Sequence, residues 1–223
     1  MEKGQKYNIM IDLKKYSNVI WDWNGTLLDD AWLCVDVMNG MLKERDLPLK
    51  TVEEYRELFD FPVKDYYAKL GYDFDKESFD IVGMEFIEKY NKRHFETGLH
   101  ANVHKALEHF AALGMSQNIL SAREHAELIA ETRKLGVHRY FDRIRGLDDH
   151  YAYGKNEIGV QLVREIGVPK KRILFIGDTR HDAEVAGELG IDCLLIPNGH
   201  HSEERLKQLC VPLIYSLQDL IDL

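Results

Sequence analysis

Short apolar runs alternate with longer amphipathic stretches along most of the chain. Asn18–Asp22 (NVIWD), Ser116–Leu120 (SQNIL), Arg172–Ile176 (RILFI), Asp192–Ile196 (DCLLI) and Pro212–Tyr215 (PLIY) read as short buried strands, and Arg143–Arg145 is a weaker candidate. Between them, Val103, Leu107, Phe110 and Ala111 fall on one helical face. The same holds for Leu128, Ile129, Thr132 and Leu135, for Ile158, Leu162, Val163 and Ile166, and for Val185, Ala186 and Leu189. These runs stop at Gly114, Gly136, Gly167 and Gly190, where a residue without a Cβ can turn left-handed and end a helix. Strand then helix, repeated, predicts right-handed crossovers and an α/β fold, a doubly wound parallel sheet covered on both faces. Ligands of such sheets bind beyond the carboxyl ends of the strands, so the residues just after each apolar run are the ones to inspect.

From Ala31 to Phe95 the alternation breaks and no buried strand is evident. Leu33, Val37, Met41 and Leu42 form one helical stripe; Phe79, Val82, Phe86, Ile87 and Tyr90 form another. Tyr55, Leu58, Phe61, Tyr66 and Leu70 lie between them, interrupted at Pro62. The pattern predicts a helical insert over residues 31–97, with the sheet built from residues 1–30 and 98–223.

Composition narrows the function classes. With 45% hydrophobic and 30% charged residues, the chain is of ordinary globular type, neither disordered nor fibrous. Lys and Arg number 29 against 38 Asp and Glu, a formal charge of −9, which argues against generic nucleic-acid binding but not against a local anion pocket. Cys34, Cys193 and Cys210 are too few and too scattered for a disulfide framework or a zinc knuckle. Residues 1–18 lack the apolar core of a signal peptide, and no run approaches the length of a membrane span. The expectation is a soluble cytoplasmic protein with reduced thiols, acting without nucleic acid or membrane, as a monomer or homodimer.

The strand ends carry the candidate chemistry. The first run ends in Asp22-Trp23-Asn24-Gly25-Thr26, a carboxylate at a strand tip followed by a glycine turn whose amides could bind an anion. Ser116–Leu120 leads to Ser121, a hydroxyl able to donate to a phosphoryl oxygen. Lys155 follows the weak Arg143–Arg145 candidate and supplies a point charge suited to phosphate. The Arg172–Ile176 run ends in Gly177-Asp178-Thr179-Arg180-His181-Asp182, so Asp178 and Asp182, with Asp22, make a hard oxygen site suited to Mg²⁺. Asp182 and Ser121 also sit where they could cap the helices that follow.

WDWNGTLLDD, ILSA, GK and FIGDTRHD, in this order, resemble the motif set of the haloacid-dehalogenase superfamily, and within it the phosphoglycolate-phosphatase-like branch with a helical cap. The resemblance runs from Asn18 to about Ser202. It implies a Rossmann-like core, a mobile cap after the first motif, and hydrolysis of a small phosphorylated metabolite. Carried over by position, Asp22 is the nucleophile that forms an aspartyl-phosphate. Asp22, Asp178 and the backbone carbonyl of Asn24 hold Mg²⁺, with Asp182 supporting it through the outer shell. Gly25, Thr26, Ser121, Ala122 and Lys155 lie around the phosphoryl group, and Lys155 offsets the charge of Asp22. A carboxylate attacking a phosphate dianion meets like-charge repulsion, which a divalent ion and a lysine remove.

The departure from the family pattern is Asn24, where its phosphatases usually carry a second Asp that protonates the leaving oxygen. An amide cannot do so, and general acid–base catalysis is worth ~10²–10⁴-fold, about 3–5 kcal/mol. Four readings stay open. The substrate has a good leaving group, such as an acyl phosphate; a residue of the insert (Asp65, His94 or Glu96) substitutes; the protein is a slow phosphatase or a phosphate binder; or the deamidation-prone Asn24-Gly25 pair supplies a carboxylate in some molecules. The family's phosphonate-hydrolysing members suggest a further alternative, with Trp after the nucleophile, a non-acidic residue two positions on, and a cap lysine that forms a Schiff base, here Lys64. A solvated surface Lys64 is the plainer reading. Dehalogenase chemistry needs no Asp178/Asp182 metal site. His100 and His104 read as a surface pair, His200-His201 as loop, and Phe59–Phe61 with Tyr66-Tyr67 as packing within the insert. Arg180 and His181 are expected to face the crevice.

Overall fold

The computed structural model describes residues 11–148 and 154–223; the segment read as lacking a targeting signal lies largely outside them. Five parallel strands, β1 (Asn18–Trp21), β4 (Ser116–Glu124), β5 (Arg143–Leu147), β6 (Ile173–Gly177) and β7 (Asp192–Leu195), form one sheet in the order β5-β4-β1-β6-β7. The first strand is central because all four of its residues are buried: Trp21 aligns with Ile119 of β4 on one side and Ile176 of β6 on the other. Alternate residues feed two separate cores. Val19, Trp21, Ile119 and Ile176 pack under α5 (Val103–Ala112), α6 (His125–Lys134) and α10 (Leu217–Ile221). Ile20, Leu120 and Phe175 pack under α7 (Lys155–Ile166) and α8 (Arg180–Leu189). This is the expected doubly wound α/β arrangement, Rossmann-like in its layering.

Two strand expectations change. The Ser116–Leu120 run continues to Glu124 through a register shift against β5, and Glu124, not Ser121, caps α6. Among the described residues the Pro212–Tyr215 run makes one bridge, Leu213 to Leu195, parallel and at the last residue of β7, so no ladder forms. Among the described residues no helix is long and apolar enough to cross a membrane.

A short antiparallel ribbon, β2 (Leu28–Asp29) with β3 (Gly98–Leu99), ties together the points where the chain leaves the sheet and returns. Between them lie α1 (Ala31–Glu44), α2 (Val52–Leu58), α3 (Val63–Leu70) and α4 (Phe79–Asn91). These helices bury a cluster of their own, in which the Leu33, Val37, Met41 and Leu42 stripe meets Tyr55, Leu70 and Val82. Thr51 starts α2 with a reciprocal capping box to Glu54. Gly71 ends α3 at φ 102°, a conformation with no Cβ penalty only for glycine.

Candidate active site

Parallel strands present their carboxyl ends at one edge, and the motif residues meet there. The Asp22 amide donates to Ile176 O at 2.8 Å, extending the β1 ladder by one residue and fixing its carboxyl group at the sheet edge. Asp178 follows β6, Asp182 lies in the first turn of α8, and Lys155 opens α7. All four are buried. One oxygen from each of Asp22, Asp178 and Asp182 lies within 4.8 Å of the others. Lys155 Nζ donates to Asp22 Oδ1 at 2.5 Å and to Asp182 Oδ1 at 2.7 Å.

The α8 N-terminus explains the placement of Asp182. Thr179 caps the helix, and Asp182 Oδ2 accepts from the Thr179 amide (2.9 Å) and hydroxyl (2.7 Å) and from the Asp178 amide (3.2 Å). Capping and Lys155 pairing therefore coexist in one carboxylate. Asp178 is braced separately, by the Thr26 hydroxyl at 2.8 Å and the His200 amide at 2.7 Å. Gly25 and Gly199 leave room for it, since a Cβ on either would overlap its Oδ2.

Burial and charge pull these groups in different directions. Burial pushes Asp22 up to about 8; Lys155 opposes the shift and the Asp182 and Asp178 charges add to it. Burial likewise raises Asp178, to about 6. For Asp182 burial is outweighed by Lys155 and the Thr179 donors, and its carboxyl is lowered. Lys155 is raised, the two carboxylates outweighing its burial. One ammonium among three buried carboxylates leaves an excess of negative charge, and the donors are all hard oxygens. That set fits a small divalent cation such as Mg²⁺.

A second buried network surrounds Asn24. Asp30, 1% exposed, accepts from Asn24 Nδ2 (2.8 Å) and the Tyr90 hydroxyl (2.8 Å) on one oxygen, and from the Gly25 amide (2.9 Å) on the other. His200 Nε2 lies 3.4 Å from Asp30, and its Nδ1 is 2.8 Å from the Tyr55 hydroxyl. Burial raises Asp30, but His200 and these donors outweigh it and its carboxyl is lowered. Burial lowers His200, but Asp30 and Asp178 carry it up to about 9. An ionised Asp30 only accepts, so it fixes the Asn24 amide with nitrogen toward it. The same bonds hold the Gly25 nitrogen that deamidation of Asn24 would need as its nucleophile.

One cavity of about 520 Å³ opens over the edge, lined by Asp22, Asn24, Ser121, Ala122, Lys155 and Asp182 and extending between the helices of the insert. The Ser121 oxygen accepts the Arg123 amide at 3.0 Å, which leaves its hydroxyl hydrogen to donate. His181 lines the cavity as expected, whereas Arg180 is half-exposed and pairs with Asp60 at 3.1 Å. Gly25, Thr26 and Asp178 are not among the residues that line the cavity; the Gly25 amide donates to Asp30 and the Thr26 hydroxyl to Asp178. Asp65 and Glu96 are exposed; His94 is buried beside Glu127 and Glu131; none lines the cavity, so none stands where it could replace an acid. Lys64 is exposed, its Nζ over the Phe74 ring, outside the apolar pocket a Schiff-base lysine needs. His200 is not free loop but part of the site, and His100 is mostly buried with Nε2 3.0 Å from Gly25 O. Asp30 went unnoticed in the run WDWNGTLLDD; its place at the end of that motif was the available signal.

The family model for haloacid dehalogenase-like hydrolases matches residues 19–196. The chain belongs to that family. A phosphoglycolate phosphatase of Pseudomonas savastanoi pv. phaseolicola is 22% identical over 193 residues, covering 82% of this chain and 70% of that protein. A 5'-nucleotidase of Pseudomonas aeruginosa is 23% identical over 199 residues, covering 86% and 88%. Among solved structures, a haloacid dehalogenase-like family hydrolase from Streptococcus pneumoniae superposes with a TM-score of 0.79 at 19% identity, covering 93% of this chain and 98% of that one. That likeness speaks for the fold.

Proposed function

We propose that this haloacid dehalogenase-like hydrolase is a Mg²⁺-dependent phosphatase of small phosphorylated metabolites, phosphoglycolate-phosphatase-like in architecture, working through an aspartyl-phosphate on Asp22. The observation that carries the reading is the convergence of Asp22, Asp178 and Asp182 around one point with Lys155 bridging two of them. Relatives called phosphoglycolate phosphatase and 5'-nucleotidase support phosphomonoester hydrolysis.

Asp22, Asp178 and the Asn24 carbonyl would hold Mg²⁺, with Asp182, already committed to Lys155 and the α8 amides, supporting it indirectly. When bound, the ion neutralises phosphoryl charge. Lys155 and the Ser121 hydroxyl orient the phosphoryl oxygens. An Asp22 oxygen attacks phosphorus, the ester P–O bond breaks, and its electron pair leaves with the alcohol oxygen. Water then attacks phosphorus, releasing phosphate and restoring the Asp22 carboxylate. Asn24 supplies no proton to the leaving oxygen, so leaving groups that need little protonation are favoured. The helices over residues 31–97 act as a cap that excludes bulk water.

The second reading, a phosphate-binding protein with little turnover, is favoured by Asn24 alone. Turnover on a panel of phosphomonoesters and acyl phosphates, with Mg²⁺ and with chelator, separates the two. Chelator-sensitive phosphate release supports the hydrolase; saturable phosphate binding without release on any member supports the binder.

A further inference from the structure

Beyond β7 the chain has little hold on its own layer. Among the described residues, the backbone hydrogen bonds of residues 198–200 run to two places, the insert and Asp178. The Gly199 carbonyl accepts from Arg56 Nε at 2.8 Å, and the Asn198 carbonyl from Arg56 Nη2 at 3.2 Å, both from α2. The His200 amide donates to Asp178 Oδ2 at 2.7 Å. The His200 ring spans the same gap, with Nδ1 2.8 Å from the Tyr55 hydroxyl of α2 and Nε2 3.4 Å from Asp30. It meets the Tyr55 ring edge to face, with centroids 5.8 Å apart.

Packing leaves this segment no slack. A Cβ on Gly199 would come within 2.1 Å of Asp178 Oδ2, and one on Gly25 within 2.6 Å of His200 Cδ2. Residues 198–200 are thus wedged between the Gly25 turn, Asp178 and α2. The insert that holds them is a body of its own. Its buried cluster draws only on residues 31–90, and the chain enters and leaves it through the β2–β3 ribbon. Lifting such a body off the sheet edge breaks the Tyr55 and Arg56 bonds together. Residues 198–200 then keep only the bonds of His200 to Asp178 and Asp30.

From these contacts we infer that Tyr55 and Arg56 are positioning residues for the cation site. Docked on the sheet edge, α2 fixes residues 198–200, and these fix the aim of the Asp178 carboxylate. Neither side chain bonds Asp22, Asp178 or Asp182 among the described residues; both act through residues 198–200. Docking of the insert and binding of a divalent cation are therefore coupled, and the coupling is reciprocal: the cation favours the docked insert by the same factor as docking tightens the cation. The inference rests on the reading of the three aspartates as a Mg²⁺ site and deepens it by naming what holds that site in shape.

The test measures Mn²⁺ binding to the full chain. Mn²⁺ stands in for Mg²⁺, and its free ion is counted by electron paramagnetic resonance, so no turnover is needed. Wild type should bind one ion, and Asp178→Asn at least about tenfold more weakly. Tyr55→Phe and Arg56→Met should each weaken binding about fivefold, the worth of one buried hydrogen bond, and the double variant at least about tenfold. Arg45→Met breaks the pairs with Glu77 and Glu85 inside the insert; it should lower the melting temperature and leave Mn²⁺ affinity within about twofold. In the reverse direction, Mn²⁺ should slow hydrogen exchange over residues 52–60 in wild type and not in Asp178→Asn.

Mn²⁺ affinity within about twofold of wild type in Tyr55→Phe, Arg56→Met and the double variant overturns the inference while the cation site stands. A loss as large in Arg45→Met as in Tyr55→Phe also overturns it, because general loosening of the insert then suffices. Where the double variant does not fold, exchange in wild type decides, and no slowing over residues 52–60 overturns the coupling. Equal Mn²⁺ binding by wild type and Asp178→Asn, or none by either, removes the cation site itself and the inference with it.

Discussion

Replacing Asn24 with Asp tests how the leaving oxygen gains its proton. The side chain at position 24 lies 2.8 Å from one Asp30 oxygen and 3.2 Å from the Tyr90 hydroxyl. In Asn24→Asp a carboxyl group takes the place of that amide donor. Two ionised carboxylates about 3 Å apart repel by ~5 kcal/mol at an effective dielectric near 20. The pair therefore keeps one proton, which replaces the lost Asn24–Asp30 hydrogen bond and leaves position 24 able to serve as an acid. His200, 3.4 Å from the other Asp30 oxygen, favours ionised Asp30 and so places the proton on position 24. Turnover of alkyl phosphomonoesters should rise by ~10²–10⁴-fold, the usual worth of general acid–base catalysis. Acyl phosphates and nitrophenyl phosphate, whose leaving groups need no protonation, should change by less than about tenfold. The assay is kcat over a leaving-group series for both proteins, with circular dichroism to confirm folding. A folded variant with an unchanged slope across the series would refute the idea that position 24 is the missing acid.

Three further outcomes follow from other contacts. Lys155→Met removes the ammonium between Asp22 and Asp182; it should destabilise the fold by ~3–5 kcal/mol, read by thermal denaturation, and cut turnover at least about 100-fold. Arg205, in α9 (Glu203–Lys207), bridges Arg56 O (3.0 Å) and Asp60 (2.9 Å) and so ties the α2 segment to the chain that follows β7; Arg205→Ala should raise KM several-fold and expose the α2–α3 loop to limited proteolysis, with less effect on kcat. Arg45 holds Glu77 (2.8 Å) and Glu85 (2.6 Å); its hydrogen bond lowers Glu77, and with Lys89 it overcomes the burial that would raise Glu85. Carboxyls lowered on folding stabilise above their unfolded value of 4.5 and lose that contribution as pH falls through the folded values, so Arg45→Met should cost about 1 kcal/mol at neutral pH and nothing in strong acid.

Most of the sheet was legible because β1 and β6 are buried on both faces and the helices between strands end at glycines; β5, with Arg143 and Arg145 half-buried, gave only a weak signal. The Pro212–Tyr215 run had the same apolar signature but, among the described residues, forms a single bridge at the end of β7, a distinction that pairing decides and composition does not. The β2–β3 ribbon, two residues in each strand, is too short for any period to register. At the site, Asp22, Lys155, Asp178 and Asp182 stood out because each follows a strand or opens a helix at the same edge. Asp30 and His200 did not, because their roles come from a contact across 170 positions of chain that only the closed fold creates. The insert's candidate acids failed for the complementary reason: Asp65, His94 and Glu96 have suitable chemistry, but their helices turn them away from the cavity.

The most direct test of the central claim is to mix the protein with Mg²⁺ and a turned-over phosphomonoester, quench in acid within milliseconds, and map the modified peptide by mass spectrometry. A mass gain of one phosphoryl group on Asp22, absent when Mg²⁺ is chelated, is the expected result. Phosphate release with no transient phosphorylation of Asp22, or phosphorylation at another residue, would contradict it.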